Sequence, residues 1–417
     1  MESARTTMSS ATKIAKLEPE MRPCVIVPGP AAQDSKREPA PRKGVKICHL
    51  SPEYGRDNRA YVRQALPTSC YGLSTSIVGP HGVQDSIQKV QFIPLANSRN
   101  RALRMLRAPK GVFRALRQKA DIYHVHNPEN IPAGLLLKFL FRKRVVYDSR
   151  EDFPAMMLNK TYLSPGLRKF AQQAVFKAER LAANYFDGFV TADAGTLRPH
   201  AKHGQSRKLV FYNLPNLEFF PKPVNRDKPF DLVYRGGLSE RAGTFVLLDA
   251  VRLLTDQGWR TNLLMFGYTD NDEVQRSIAD RIHALQLEQQ VTLAGRIPHD
   301  QMAATLGQAR IAVSPLLDNP KFLNNIPVKV FESWACELPV VSSDLPPIRP
   351  FYERDQYDLL VRPGDPKALA RAIADLLDHP DDILRIGKQC RQKVIERYNN
   401  AIEIRKLLFF YRRVLAS

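Results

Sequence analysis

The sequence predicts an α/β protein made of two doubly wound parallel sheets, and three observations carry that prediction. From Gly44 onward, short β-rich runs alternate with helix-length amphipathic segments. Strand, helix and strand at this spacing imply parallel pairing through right-handed crossovers. A second series of the same kind starts after Pro221 and Pro223, where Asn225 to Pro229 forms a polar linker. Glycine-rich and polar motifs also fall where strands end, the edge at which doubly wound sheets bind ligands. With 417 residues, 44% hydrophobic and 25% charged, the chain suits two or three domains with real cores. Disordered, collagenous and coiled-coil classes are excluded.

In the first series the expected strands are Val45–Leu50, Ser74–Val78, Val90–Pro94, Ile122–His126, Val145–Asp148, Gly188–Ala192 and Leu209–Tyr212. Between them lie helical patterns at Arg59–Cys70, Ile131–Phe141 and Leu167–Tyr185. The second series has strands at Asp231–Tyr234, Asn262–Phe266, Val291–Ala294, Ile311–Ser314, Val340–Ser342 and Leu359–Val361. Its helices are Thr244–Gln257, Asp272–Leu285, Gln301–Gln308 and Val328–Ala335, followed by Pro366–Leu377, Asp382–Arg397 and Ala401–Ala416. Residues 1–43 carry Pro19, Pro23, Pro28, Pro30, Pro39 and Pro41 without apolar period, and are expected to be a disordered tail with one short helix near Thr12–Leu17. The domains expected are 44–222 and 223–395, with a closing helix in 396–417 returning to the first domain.

No apolar run approaches the ~20 residues needed to span a bilayer. Ala133 to Phe141 is interrupted by Lys138 and runs into Arg142, Lys143 and Arg144. The first residues lack the apolar segment of a secretory signal. Cys24, Cys48, Cys70, Cys336 and Cys390 are scattered and form no C-x-x-C pair, which points to a reduced, cytosolic protein without a disulfide framework or zinc site.

Three segments carry chemistry. In N-N-I-P-V-K-V-F-E-S-W-A-C-E-L-P-V-V-S-S-D, Asn324 to Asp344, Pro327 suits a first helical turn, whose free N–H groups attract phosphate. Lys329 and Glu332 share one helical face there and could hold a diphosphate and a ribose; a surface ion pair is the alternative. In Y-R-G-G-L-S-E-R-A-G, Tyr234 to Gly243, Gly236 and Gly237 would let backbone N–H groups approach an anion, and Arg241 could neutralise it. Arg235 competes for that role, and an ordinary tight turn is the alternative. The third segment is D-I-Y-H-V-H-N-P-E-N, from Asp121, with V-V-Y-D-S-R-E-D-F-P, from Val145. Its H-x-H lacks a third convergent ligand in the sequence, so a metal reading is set aside.

Together these segments resemble the group 1 (family 4) retaining glycosyltransferases, which have the GT-B fold of two facing Rossmann-like domains. The resemblance spans Val45 to about Leu415. It implies that Glu332 binds the ribose hydroxyls of a nucleotide-sugar, that Asn324, where the family has glutamate, contacts the donor sugar with Asn325, and that Pro327, Lys329 and Glu332 fit the P-x-K-x-x-E pattern of one branch. Arg241 stands one position early for the family's phosphate-binding base, because Ala242 precedes Gly243. His126 would approach the sugar and Glu151 the acceptor, while Arg150 replaces a histidine of the branch and Glu337 a glycine. The first βα unit, with Arg56, Asp57 and Arg59, also looks like that branch.

Two decoys are discounted. Asp270-Asn271-Asp272 spells D-x-D but opens a helix, where acids cap. Cys48 and Cys70 fall at core positions and read as small hydrophobes.

The chain carries 62 Lys and Arg against 42 Asp and Glu, a net charge of +20. The surplus peaks at Arg99, Arg101, Arg104, Arg107, Lys110, Arg114, Arg117 and Lys119, with no acid between them. Such a segment, broken at Pro109 and Gly111, can lie on an anionic membrane, or simply pack its apolar side on its own sheet. Nucleic acid is not expected, since no module for it is recognisable.

The expected function is therefore transfer of a sugar from a UDP- or GDP-linked donor, without metal or other cofactor and with retention. The acceptor would be a lipid-linked or cell-surface glycan at the cytoplasmic face of the membrane. A nucleotide-sugar epimerase of the same fold and a non-catalytic scaffold subunit are the alternatives.

Overall fold

The computed structural model describes residues 44–52, 59–80, 89–95, 108–160, 163–202, 204, 206–223, 228–269 and 271–416. The tail expected over 1–43, with its short helix, lies outside the described residues, as do Arg56, Asp57, Arg99, Arg101, Arg104, Arg107 and Asp270.

Two α/β domains follow one another. The first contains strands β1 (Lys46–Leu50), β2 (Ser74–Pro80), β3 (Val90–Leu95), β4 (Ile122–His126), β5 (Val145–Ser149), β6 (Gly188–Thr191) and β7 (Arg207–Val210). They form one seven-stranded sheet in the order β3-β2-β1-β4-β5-β6-β7, every pair parallel. Its helices are α1 (Leu66–Cys70), α2 (Ala108–Leu116), α3 (Ile131–Leu135), α4 (Phe153–Leu158), α5 (Pro165–Tyr185) and α6 (Ala194–Leu197). The second domain has β8 (Phe230–Leu238), β9 (Leu263–Thr269), β10 (Val291–Leu293), β11 (Ala309–Ser314), β12 (Val340–Ser343) and β13 (Leu360–Val361), ordered β10-β9-β8-β11-β12-β13 and again parallel. Helices α7 (Thr244–Asp256), α8 (Asp272–Ala284), α9 (Met302–Leu306), α10 (Val328–Ala335), α11 (Pro366–Asp378), α12 (Pro380–Glu396) and α13 (Asn400–Leu415) complete the chain. Strand order reverses at β1/β4 and at β8/β11, and the crevices of doubly wound sheets open at such points.

The central strands β4, β5, β6 and β12 are buried along their whole length, as strands covered on both faces are, while the edge strands β3, β7 and β10 are partly exposed. On one face of the first sheet, Val112, Ala115, Ile131, Ala133, Leu137, Ala182 and Ala183 of the crossover helices pack on Cys48, Tyr123, Val125 and Tyr147. The opposite face is closed by α13, whose Ile404, Leu407, Leu408, Phe410, Tyr411 and Val414 pack on Ile47, Ile122, Val146 and Val190. The last helix of the chain thus completes the core of the first domain. Asn399 caps it by accepting from the Ile402 N–H, and the buried Glu403 accepts from the Tyr212 N–H at 2.9 Å.

Three departures from the sequence reading have local causes. Strand β8 continues four residues beyond Tyr234, through Gly236 and Gly237. Bare glycines permit this, because a Cβ on the facing Gly267 would lie 1.7 Å from the Gly236 carbonyl oxygen. The helix expected as one piece from Arg59 to Cys70 is π-helical over Arg59–Ala65 and α-helical from Leu66. Pro67 has no N–H to return to the carbonyl four residues back, so the pitch changes there. Helix α4 was not foreseen; Asp152 caps it by accepting from the Ala155 N–H at 2.9 Å.

Truncating Leu407 to alanine should lower stability by about 2–4 kcal/mol, the cost of a cavity in a filled core. Urea unfolding of the full chain measures it, with the loss expected in the transition that reports the first domain.

Candidate functional site

In the first domain the strand ends are rich in buried polar groups. The π-helical turn directs Arg59 and Gln64 at Asp148, whose Oδ2 accepts from Arg59 Nε at 2.9 Å and from Gln64 Nε2 at 2.5 Å. Asp148 is fully buried. Burial alone would raise its pKa, but the Arg59 guanidinium and the His126 imidazole outweigh it and hold the carboxyl well below the usual range. His126 Nδ1 lies 3.5 Å from Asp148 Oδ2, and its Nε2 lies 2.9 Å from His49 Nδ1. His124 Nδ1 meets the Tyr411 hydroxyl at 2.6 Å. Burial, reinforced by His126, pushes His49 and His124 well below the ordinary histidine value, so both are neutral at pH 7.

His49 is the third convergent imidazole that the H-x-H spacing lacked. Among the described residues, His49, His124 and His126 form a group whose ligand atoms lie within 4.8 Å of one another. The rings stack, with centroids 4.7–5.2 Å apart. A hydrogen bond joins His49 to His126 and Tyr411 engages His124, while His49 Nε2 and His124 Nε2 are buried without a hydrogen-bond partner. With Nε2 on His49 and Nδ1 beside Asp148, His126 in this arrangement turns no free nitrogen toward a sugar. Its ring is only 3% exposed.

In the second domain Glu332, on α10, is fully buried, and two arginines reach it. Arg235 Nη2 from β8 lies 2.5 Å from Glu332 Oε2. Arg63 Nη2 of the first domain lies 3.3 Å from Glu332 Oε1, and Arg63 Nη1 also donates to the Leu214 carbonyl. Lys329, one turn before Glu332, places Nζ 4.4 Å from the centre of the Tyr234 ring and 3.4 Å from its hydroxyl. Burial, with Arg235 close by, pushes the Lys329 ammonium down to about 7. Burial pushes the Tyr234 phenol up against the pull of Arg235 and Arg241, and its hydroxyl donates to the Gly237 carbonyl at 2.7 Å. Gly236 faces this group: a Cβ there would sit 3.6 Å from both Lys329 Nζ and the Tyr234 hydroxyl. Arg235, Arg63, Lys329 and Glu332 therefore form a desolvated cluster with more cationic than anionic groups.

A strap from the second domain closes the other side. Asn324 Nδ2 donates to Asp152 Oδ2 at 3.1 Å, the Ile326 N–H donates to Asp193 Oδ1 at 2.9 Å, and Lys321 pairs with Glu151 at 3.3 Å. Gly195 makes the approach possible, since a Cβ there would meet the Asn324 carbonyl oxygen at 2.7 Å. A small cavity between the domains is lined by Asp193, Tyr212, Asn213, Ile326, Val328 and Phe331, among others. Burial pushes Asp193 up to about 7, against the pull of the Ile326 N–H.

The expected donor-side residues Arg235, Gly236, Gly237, Lys329 and Glu332 are thus gathered in one place. Arg241 lies in the short turn before Gly243, and its charge reaches Tyr234. Asn324 is engaged with Asp152, and Asn325 Oδ1 is buried without a hydrogen-bond partner. Gly243, not the glycine pair, is the turn glycine: its φ is +75°, and a Cβ would lie 1.7 Å from the Pro315 carbonyl oxygen. Asn271 caps α8 by accepting from the Val274 N–H at 2.9 Å, which suits the capping role read for the D-x-D segment. Cys48 is buried and Cys70 half-buried; burial pushes the Cys48 thiol up to about 12. The sequence reading missed Arg63, His49 and Asp193. Asp193 carried a signal, a polar residue just past a strand end, whereas Arg63 carried none.

Two facing Rossmann-like domains with polar groups on the opposed strand ends define the GT-B architecture of glycosyltransferases. Residues 229–379 match the sequence pattern described as glycosyl transferases group 1. It is 30% identical over 182 residues to the amylovoran biosynthesis glycosyltransferase AmsK of Erwinia amylovora, covering 43% of this chain and 44% of that protein. The chain spans less than half the length of the curated relatives it matches. Among solved structures it is similar to sucrose-phosphate synthase from Thermosynechococcus elongatus, with TM-score 0.72, 20% identity, and coverage of 89% of this chain and 99% of the other. It is also similar to Anabaena HepE in complex with UDP-glucose, with TM-score 0.69, 16% identity, and coverage of 88% and 99%.

Asp193→Asn tests the strap. The folded pKa of about 7 is raised, so the carboxylate destabilises the folded state as pH climbs from the unfolded value of 3.8 through 7. Asparagine keeps an acceptor for the Ile326 N–H without the charge. The advantage of the variant should be smallest below pH 4 and grow by roughly 1–3 kcal/mol between pH 4 and pH 8, read by thermal unfolding at the two pH values.

Proposed function

We propose that this protein is a metal-independent, retaining glycosyltransferase that moves a sugar from a nucleoside-diphosphate donor to a growing or lipid-linked glycan. The naming of AmsK as an amylovoran biosynthesis enzyme and the UDP-glucose held by HepE support the polysaccharide setting and the donor class. The observation that carries the reading is the surplus of desolvated cations around Glu332. A buried cluster short of negative charge is completed by an anion, and a diphosphate beside Lys329, Arg235 and the bare face of Gly236 supplies it.

Lys329, Arg235 and Arg241 would stabilise charge that develops on the departing diphosphate, the electrostatic work a divalent ion does elsewhere. Ribose hydroxyls would take up the Arg63 side of Glu332, so nucleotide binding exchanges one partner of that carboxylate for another. Asn324 and Asn325 would position the sugar from the strap. His126, its ring held by Asp148 and His49, would wall the sugar side of the first domain, with Glu151 nearer the acceptor. Closure of the domains excludes water and prevents donor hydrolysis.

Thermal shift with UDP, GDP and ADP, followed by transfer assays, tests this reading. One nucleotide should stabilise the protein through mass action, and Lys329→Ala and Glu332→Gln should each cut transfer at least tenfold while keeping the fold. Glutamine is chosen because alanine at 332 would strand Arg63 and Arg235 in a buried site. No nucleotide stabilisation would leave a scaffold, and donor conversion without acceptor would indicate an epimerase. Affinity for the diphosphate should also fall as pH rises above about 7, because Lys329 loses its proton there, and Lys329→Arg should flatten that dependence. Isothermal titration between pH 7 and 9 reads both.

A further inference from the structure

The exposed apolar surface of this protein is unevenly placed. Phe113, within α2, is 61% exposed, Phe139 60%, Leu140 67%, Leu181 44% and Tyr185 51%. Phe139 and Leu140 end the π-helical continuation of α3, and Leu181 and Tyr185 stand one turn apart near the end of α5. Two ring contacts join these helices. The Phe113 ring lies 6.4 Å from that of Phe141, and the Phe139 ring lies 5.6 Å from that of Tyr185. The result is one apolar ridge across the outer side of three neighbouring helices, whose inner sides are already used by the core of the first domain. It overlaps the surface expected over Arg99 to Lys119 at Phe113 and the cations of α2. In the described part of that segment Val112 and Ala115 are buried against the sheet, so Phe113 is what the segment leaves exposed to insert.

The exposed charges on these helices are of one sign. Exposed Lys110, Arg114, Arg117, Lys119, Arg142, Arg144, Lys177 and Arg180 lie on the three helices or just beyond their ends, with Asp121 an exposed acid after Lys119. On α2, α3 and its continuation, and α5 the single acid is Glu179, which is buried and takes hydrogen bonds from Tyr147 and Ser149. Asp187 nearby is paired with Lys138 at 2.7 Å. Aromatic and leucine side chains framed by Arg and Lys, with a tyrosine carrying its hydroxyl at the margin, match a bilayer interface: rings enter the acyl boundary and cations meet lipid phosphates. A second copy of the chain would bring like charges face to face, which disfavours self-association.

We propose that this ridge is a monotopic membrane-docking surface that selects anionic phospholipid. It holds the first domain on the bilayer by shallow insertion of Phe139, Leu140 and Tyr185, with Arg142 and Arg144 on headgroup phosphates. Among the described residues no helix is long and apolar enough to cross a membrane, so the contact is a surface one. This inference does not depend on the donor chemistry proposed above.

Flotation of the full chain with vesicles of phosphatidylglycerol and phosphatidylcholine, against phosphatidylcholine alone, tests it. The wild-type protein should float with the anionic vesicles and hardly at all with the neutral ones. The triple variant Phe139→Ser, Leu140→Ser and Tyr185→Ser, and separately Arg142→Glu with Arg144→Glu, should each lower binding about tenfold or more. Circular-dichroism melting near the wild-type temperature certifies that both variants are folded. Wild-type binding by folded variants, or absence of vesicle binding by the wild type, would overturn the proposal. So would a concentration-dependent dimer in sedimentation velocity that the serine variant abolishes, since the ridge would then be a protein interface.

Discussion

The carboxylate of Glu332 is held from both domains at once. Arg235 reaches it from β8 of its own domain and Arg63 from the π-helical turn of the other. A fully buried glutamate is tolerable only while paired, and so the relative position of the domains is tied to a charge that neither domain satisfies alone. The same π-helical turn anchors Asp148 through Arg59 and Gln64. One short segment therefore joins the polar end of the first sheet to the cationic cluster of the second. Whatever enters beside Glu332 must compete with Arg63, which links occupancy of the second domain to its grip on the first.

The two domains use buried charge differently. In the first, Asp148 is paired with Arg59 and the three imidazoles stack on one another, although His49 Nε2, His124 Nε2 and Arg59 Nη2 stay buried without a hydrogen-bond partner. In the second, Lys329 is kept desolvated against Tyr234 with Arg235 close by, so cations outnumber anions. A compensated cluster shapes a site, whereas an uncompensated one recruits a ligand. The strap from Lys321 to Ile326 lies between them and docks on Glu151, Asp152 and Asp193 through specific polar bonds. Such bonds can be exchanged with solvent at modest net cost, which suits a cleft that has to open.

Most of the architecture was legible because the pattern that encodes it is local. Helix α10, Val328–Ala335, and strand β4, Ile122–His126, carry their bounds in apolar period and flanking proline or polar residues. Gly236 and Gly237 were less so. A glycine pair reads as a turn unless it is known that a neighbouring strand presents Gly267, and with it room for two backbones to approach. The donor side of the site was legible from Lys329 and Glu332, one helical turn apart. Arg63 and His49 were not, since each meets its partner only after a sheet has brought distant segments together.

By itself the sequence determined two parallel α/β domains, the helix that carries Lys329 and Glu332, the cap in the segment at Asn271, and the excess of positive charge. These are properties of neighbours in the chain, set by periodicity, by backbone freedom and by composition. Only the tertiary structure decided which cation faces Glu332, that the H-x-H pair gains a third imidazole, and that the exposed aromatics of three separate helices form one ridge. Each depends on distances between residues far apart in the chain, and such distances exist only once the hydrophobic cores have fixed where every strand end and helix face lies.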